Sequence, residues 1–246
     1  MRLQSLLRRR PAADVRDQLV IAPHHPDRLG RPPARLGAIE DERFQQTLTW
    51  NVFRTLELIT PAFWLRRLHI RLTGDQSAAT PQIVTVSLWR RLPLPPIQRI
   101  DGAQADAIAD IAIETEHTVW TLIVADGRDH STDDLDRVAH LVDAGAWLAG
   151  ARDYFCGVIE TATASASLGG MLKGRYSRSR DGARLRSDTR GPAAPTLTAG
   201  GALNWRDLAA VLHLCQEADS RSAIERALSH NAVVWLQNVG VEPTAA

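Results

Sequence analysis

The chain predicts an α/β layer sandwich, and three observations carry that expectation. Apolar residues recur at helical spacing through ERFQQTLTWNVFRTLELI, where Phe44, Leu48, Val52, Leu56 and Ile59 share one face. Two later runs, QIVTVSLWRRL and IADIAIETEHTVWTLIVADGRD, have the composition of three strands, the last two joined by a polar turn. A second helical stretch carrying Leu135, Val138, Val142 and Trp147 then separates them from a further strand, DYFCGVIETA. The order is helix, strand, strand, strand, helix, strand.

Taken in order, residues 1–37 mix arginine, proline and histidine without periodicity, which predicts an extended or partly disordered arm. His24 and His25 are adjacent, whereas helical metal ligands face one way only at spacings of three or four, so a polar loop is the preferred reading. The core is expected over 38–165. Thr60 and Pro61 predict an N-cap and first helical residue for a shorter helix, PAFWLRRLH, and TGDQSAATP a turn. Val84, Val86 and Leu88 alternate with Thr85, Ser87 and Trp89, a half-buried strand that PLPPI must end. Glu116 and His117 fall at the turn of the following hairpin. Ser131 and Asp134 form a capping-box-like start for the next helix.

Residues 166–201 predict a basic flexible loop or a hairpin, in which Asp181 and Gly182 suit a two-residue turn. Residues 202–246 predict a small C-terminal helical element. Asn204 caps WRDLAAVLHLC, and Ser222 with Glu225 forms a capping box ahead of AIERALSHNAVVWL.

With 246 residues and 44% hydrophobic content, the chain can bury a full core as one domain with attachments. Its net charge of +1 argues against a globally basic nucleic-acid binder. Lys173 is the only lysine; arginine's forked geometry suits phosphate, but genome composition accounts for the same bias and carries more weight. Cys156 and Cys215 make neither a disulfide framework nor a zinc set, and are read as buried thiols of a cytoplasmic protein. The opening MRLQSLLRRRPAAD has too short an apolar run for a signal peptide, and no membrane association is expected.

Several chemistries lack their residues. There is no Gly-x-Ser-x-Gly elbow, no Walker-type loop and no dinucleotide fingerprint. Cys156 lies in an apolar strand, where a thiol is inert packing. The seven tryptophans are scattered and are assigned mostly to the core rather than to a base-stacking platform. In DGRDHSTDD the acids lack the alternate spacing of a calcium loop and are better explained as favouring a helix N-terminus.

Metal-dependent phosphodiester cleavage needs carboxylates converging on Mg²⁺ and a group that activates water. The element order and the segment ADIAIETEHTVWTLIVAD resemble the PD-(D/E)XK nuclease superfamily, whose fold is called restriction-endonuclease-like. The resemblance covers residues 38–165 and implies an αβββαβ layer sandwich. It sets Ala109 at the proline, Asp110 at the first metal ligand, Val124 at the glutamate and Asp126 at the lysine. Glu42 matches an additional acidic residue on the first helix. Valine cannot ligate a metal, and Lys173 lies far from the hairpin, so an intact Glu-x-Lys is missing. Asp110, Asp126 and Glu42 are then the remnant site; Mg²⁺ or Mn²⁺ would be held, if the site is active, by these three or with Glu114, which alternation sets on the strand face of Asp110. The same acids also fit a hairpin with one wet face.

Lys173, Arg175, Arg178, Arg180, Arg184, Arg186 and Arg190 outnumber the acids of their segment and could lie along a phosphate backbone; a solvated loop explains them as well. The expected function is a degenerate nuclease-like domain that binds DNA or a protein partner, or pairs as a homodimer, without cutting. The alternatives are an active Mg²⁺-dependent endonuclease with displaced ligands and a non-catalytic interaction subunit. Bacterial defence is implied by the resemblance alone.

Overall fold

The computed structural model describes residues 42–76, 83–92, 107–125, 132–160, 176–178, 185–187, 196–217 and 222–244, with backbone alone for 42–44, 132–137, 176–178, 185–187 and 196. It is a mixed α/β structure. The elements are α1 (Glu42–Glu57), α2 (Pro61–Thr73), β1 (Val84–Leu92), β2 (Ala107–Thr115), β3 (Thr118–Val124), α3 (Thr132–Ala149), β4 (Asp153–Glu160), β5 (Tyr176–Arg178), β6 (Leu185–Ser187), β7 (Thr196–Leu197), β8 (Ala199–Asn204), α4 (Trp205–Glu217) and α5 (Ala223–Asn238). The arm expected over 1–37, the PLPPI run, Ser131 and the Asp181–Gly182 turn lie outside the described residues.

Five strands form one sheet in the order β1-β2-β3-β4-β8. β1–β2 and β2–β3 are antiparallel, while β3–β4 and β4–β8 are parallel. β4 is buried over six consecutive residues, Tyr154 to Ile159, as a parallel strand covered on both faces must be. Leu48, Val52, Phe53, Leu56 and Ile59 of α1 and its following turn pack with α2, α4 and α5 on one face of the sheet. Val138, Leu141 and Val142 of α3 pack on the other face, with Leu197 of β7.

Local chemistry explains the joints. Thr115 Oγ1 accepts the His117 and Thr118 backbone N–H groups at 3.1 and 2.8 Å, closing the β2–β3 turn without glycine. Gly74, at φ +77, ends α2 with its N–H on the Ile70 carbonyl. Asn204 and Asp207 exchange side-chain-to-backbone hydrogen bonds of 2.9 and 3.0 Å at the start of α4. Thr60 occupies the N-cap of α2 without a capping side-chain bond; its N–H and Oγ1 donate instead to Glu225 Oε1, at 2.7 and 2.6 Å. Since Glu225 also closes the Ser222 capping box of α5, one carboxylate ties two helix starts together.

One element differs from the sequence reading. Ala199–Asn204 is a sheet strand where a loop was expected up to 201. Its glycines are the reason: a Cβ on Gly201 would lie 2.1 Å from the Leu72 carbonyl oxygen, so only glycine lets α2 pack this closely. The two C-terminal helices expected from the sequence are present and pack together. Their Leu208, Leu212, Trp235 and Leu236 share one apolar cluster with α1 and α2.

The β1–β2 ribbon is bent. Leu88 and Ile111 pack on the α1 face, yet Leu92 and Ala109 pack against α3. Residues two or four apart share a face in a regular strand, so the alternation breaks in both strands, at Trp89 and Asp110, the two residues that the register leaves out between Leu88↔Ile111 and Arg90↔Ala109. Trp89, at φ +51, is among the described residues the one non-glycine with positive φ, and supplies the break in β1. Arg90 faces Ala109 in the register but ion-pairs with Glu114, five positions further along β2. In a flat ribbon that separation is about 17 Å, so the ribbon must fold around α3 at this corner.

Candidate functional site

Asp110 stands at the corner. The β2–β3 ladder is regular from Glu114↔Val119 to Ile111↔Leu122 and stops there. One step further, Asp110 Oδ2 accepts the Val124 backbone N–H at 2.8 Å, and the Ala125 N–H reaches the Ile159 carbonyl on β4 at 2.9 Å. β3 thus parts from β2 while it stays paired with β4, and a carboxylate bridges the opening. Asp110 and Val124, the positions that the resemblance assigns to the two acidic ligands, are in direct contact on the α1 side.

Glu114 belongs elsewhere. It shares the face of Ala112, which packs with the α3 cluster, whereas Asp110 lies at the break itself, between Ala109 of that cluster and Ile111 of the other. The alternation expected to put both acids on one face does not carry across the bend. Glu114 ion-pairs with Arg90 and, at 3.2 Å, with Arg152. Arg152 also donates to the Thr115 and Leu148 carbonyls. Burial pushes the Glu114 carboxyl upward, but the two guanidinium groups outweigh it and hold it below the usual carboxylate range. Two cations already occupy its oxygens, which is a poor setting for a divalent metal.

Glu42 opens α1, its side chain outside the described residues, as is Asp126 entirely. Among the described residues no group of three or more His, Cys, Asp or Glu side chains could hold a metal ion. Of the basic segment, Arg178 and Arg186 lie on β5 and β6, which form an antiparallel hairpin with Arg178 facing Leu185 and Arg186 facing Ser177. Lys173, Arg175, Arg180, Arg184 and Arg190 lie outside the described residues.

Burial pushes the Cys156 thiol up to about 11, against weaker opposing hydrogen bonds from Thr121 and Tyr154, so it is protonated and unreactive at neutral pH. His69 is buried edge-on against Trp120 and Phe155, with Asp75 3.9 Å away. Desolvation lowers its pKa despite the opposing pull of Asp75 and Asp153. The residues that sequence reasoning missed are Trp89, Arg90 and Arg152. The consecutive WRR in a strand was the available signal for the first two.

No family model, curated protein or solved structure matches this chain. No helix among the described residues is long and apolar enough to cross a membrane.

Proposed function

We propose that the chain is a degenerate nuclease-like domain of the PD-(D/E)XK type, with a restriction-endonuclease-like αβββαβ core, that binds DNA or a protein partner without cleaving. The observation that carries this reading is the Asp110–Val124 contact. An acidic side chain sits where two antiparallel strands part, and the residue beside it is an aliphatic one that offers a metal nothing. The helix that connects the parallel strands β3 and β4 supports the same reading, as do the arginines on the β5–β6 hairpin. Asp126 and Glu42 remain members of the proposed remnant pocket, which would take Mg²⁺ or Mn²⁺ only weakly with so few ligands. The arginine hairpin would approach phosphates.

Binding of duplex and single-stranded DNA, followed against salt, tests the proposal. Affinity is expected to fall as salt rises, and replacing Arg178 and Arg186 by glutamine to lower the slope by about one per lost phosphate contact. Salt-independent binding, or none, would remove DNA as the partner. A gain-of-function variant probes the pocket itself: Val124→Glu puts a carboxylate beside Asp110 and is expected to create measurable Mn²⁺ binding by calorimetry, absent in Val124→Gln.

A further inference from the structure

Trp64, Trp120, Trp205 and Trp235 are buried, but Trp50 and Trp89 are only half-buried. Their rings stack with centroids 6.1 Å apart and planes 14° from parallel. The Arg54 guanidinium lies 5.1 Å from the centre of the Trp50 ring and is ion-paired with Glu57. The ribbon corner brings these rings together: Trp89 adopts the left-handed backbone there, and its side chain leaves the α3 face to meet α1. A bulky side chain in this conformation is an outlier that its surroundings must hold in place. The β1–β2 register skips Trp89 and Asp110, which lie between the pairs Leu88↔Ile111 and Arg90↔Ala109, and exposed Arg91 follows two residues after Trp89.

We propose that Trp89, backed by Trp50, is a stacking platform for a base of single-stranded nucleic acid, with Arg91 meeting an adjoining phosphate. The inference rests on the nucleic-acid reading above and names the form of nucleic acid and the residues that engage it. Every base has a π-face, so such a platform recognises unpaired strands with little regard to sequence. Near-parallel indoles followed by an exposed guanidinium suit a planar group on an anionic backbone. A protein partner would instead need a desolvated pocket around an aromatic anchor. The platform sits next to Asp110, so a strand stacked on it would pass the remnant pocket.

The test is binding of the full chain to a short fluorescein-labelled oligothymidylate, read by anisotropy and by tryptophan emission. Wild type is expected to bind with quenched emission. Trp89→Ala should weaken binding roughly ten-fold or more, Trp89→Phe should recover most of the loss, and Arg91→Gln should reduce the salt slope. Trp89→Gly, which suits the positive φ while removing the ring, gives the same answer should the alanine variant fold poorly. If both ring-deleted variants bind as wild type does, the stacking platform is overturned and the nucleic-acid reading survives. If wild type binds neither this probe nor duplex DNA, both are overturned.

Discussion

At the residue scale, the charges that titrate are those that hold corners. Arg90 and Arg152 depress the Glu114 carboxyl, so its stabilising contribution is present above the unfolded value near 4.5 and is lost as pH falls through the lower folded value. Glu114→Ala leaves two partly buried guanidinium groups without their carboxylate and is expected to cost about 2 kcal/mol in denaturant unfolding. Glu225 shows the same sign at an exposed site: the hydroxyl and backbone of Thr60, with those of Ser222, hold it at about 2 against a small effect of burial. His69 works as a base with a lowered pKa. The unfolded chain binds its proton first, so stability is full above the unfolded value of 6.5 and declines as pH drops below it. His69→Phe should flatten the melting temperature between pH 7 and pH 5, whereas an unchanged slope would assign that dependence to other groups. Asp110 itself was legible as a site candidate because a carboxylate interrupts an apolar strand. Its bond to Val124 was not, because nothing in residue spacing shows that β3 turns away from β2 there.

At the element scale, regular periodicity was readable and its interruptions were not. The helical repeat from Leu48 to Ile59 and the alternation from Val84 to Leu88 correspond to observed elements, and both C-terminal helices start at the caps expected. The bend at Trp89 and Asp110 depends on a backbone conformation that tryptophan rarely adopts, so strict alternation does not carry across it. β8 was hidden by composition: AGGALN reads as loop because its small residues serve the close approach of α2 rather than strand propensity. That explanation is testable. Gly201→Ala would set a Cβ against the Leu72 carbonyl, and is expected to destabilise by about 2–3 kcal/mol in chemical denaturation. A neutral effect would mean that α2 can move off the sheet freely.

At the scale of the whole molecule, the sheet carries four helices on one face and α3 on the other. The terminal helices complete the main apolar cluster through Trp205, Leu212 and Trp235. Amphipathic patterning revealed that α4 and α5 had apolar faces, but not that those faces would close over α1 and α2, since pairing between distant elements leaves no local mark in sequence. Truncation before Trp205 is therefore expected to abolish cooperative unfolding rather than release an intact core, as circular dichroism would record.

The proposed function turns on the pocket at the ribbon corner having lost its metal chemistry. The direct measurement is nicking of supercoiled and single-stranded DNA with Mg²⁺ or Mn²⁺, by wild type, Asp110→Ala and Asp126→Ala. No metal-dependent nicking by any of the three is predicted. Nicking by wild type that disappears in both variants would contradict the degenerate site and make Asp126 the second ligand that Val124 cannot be.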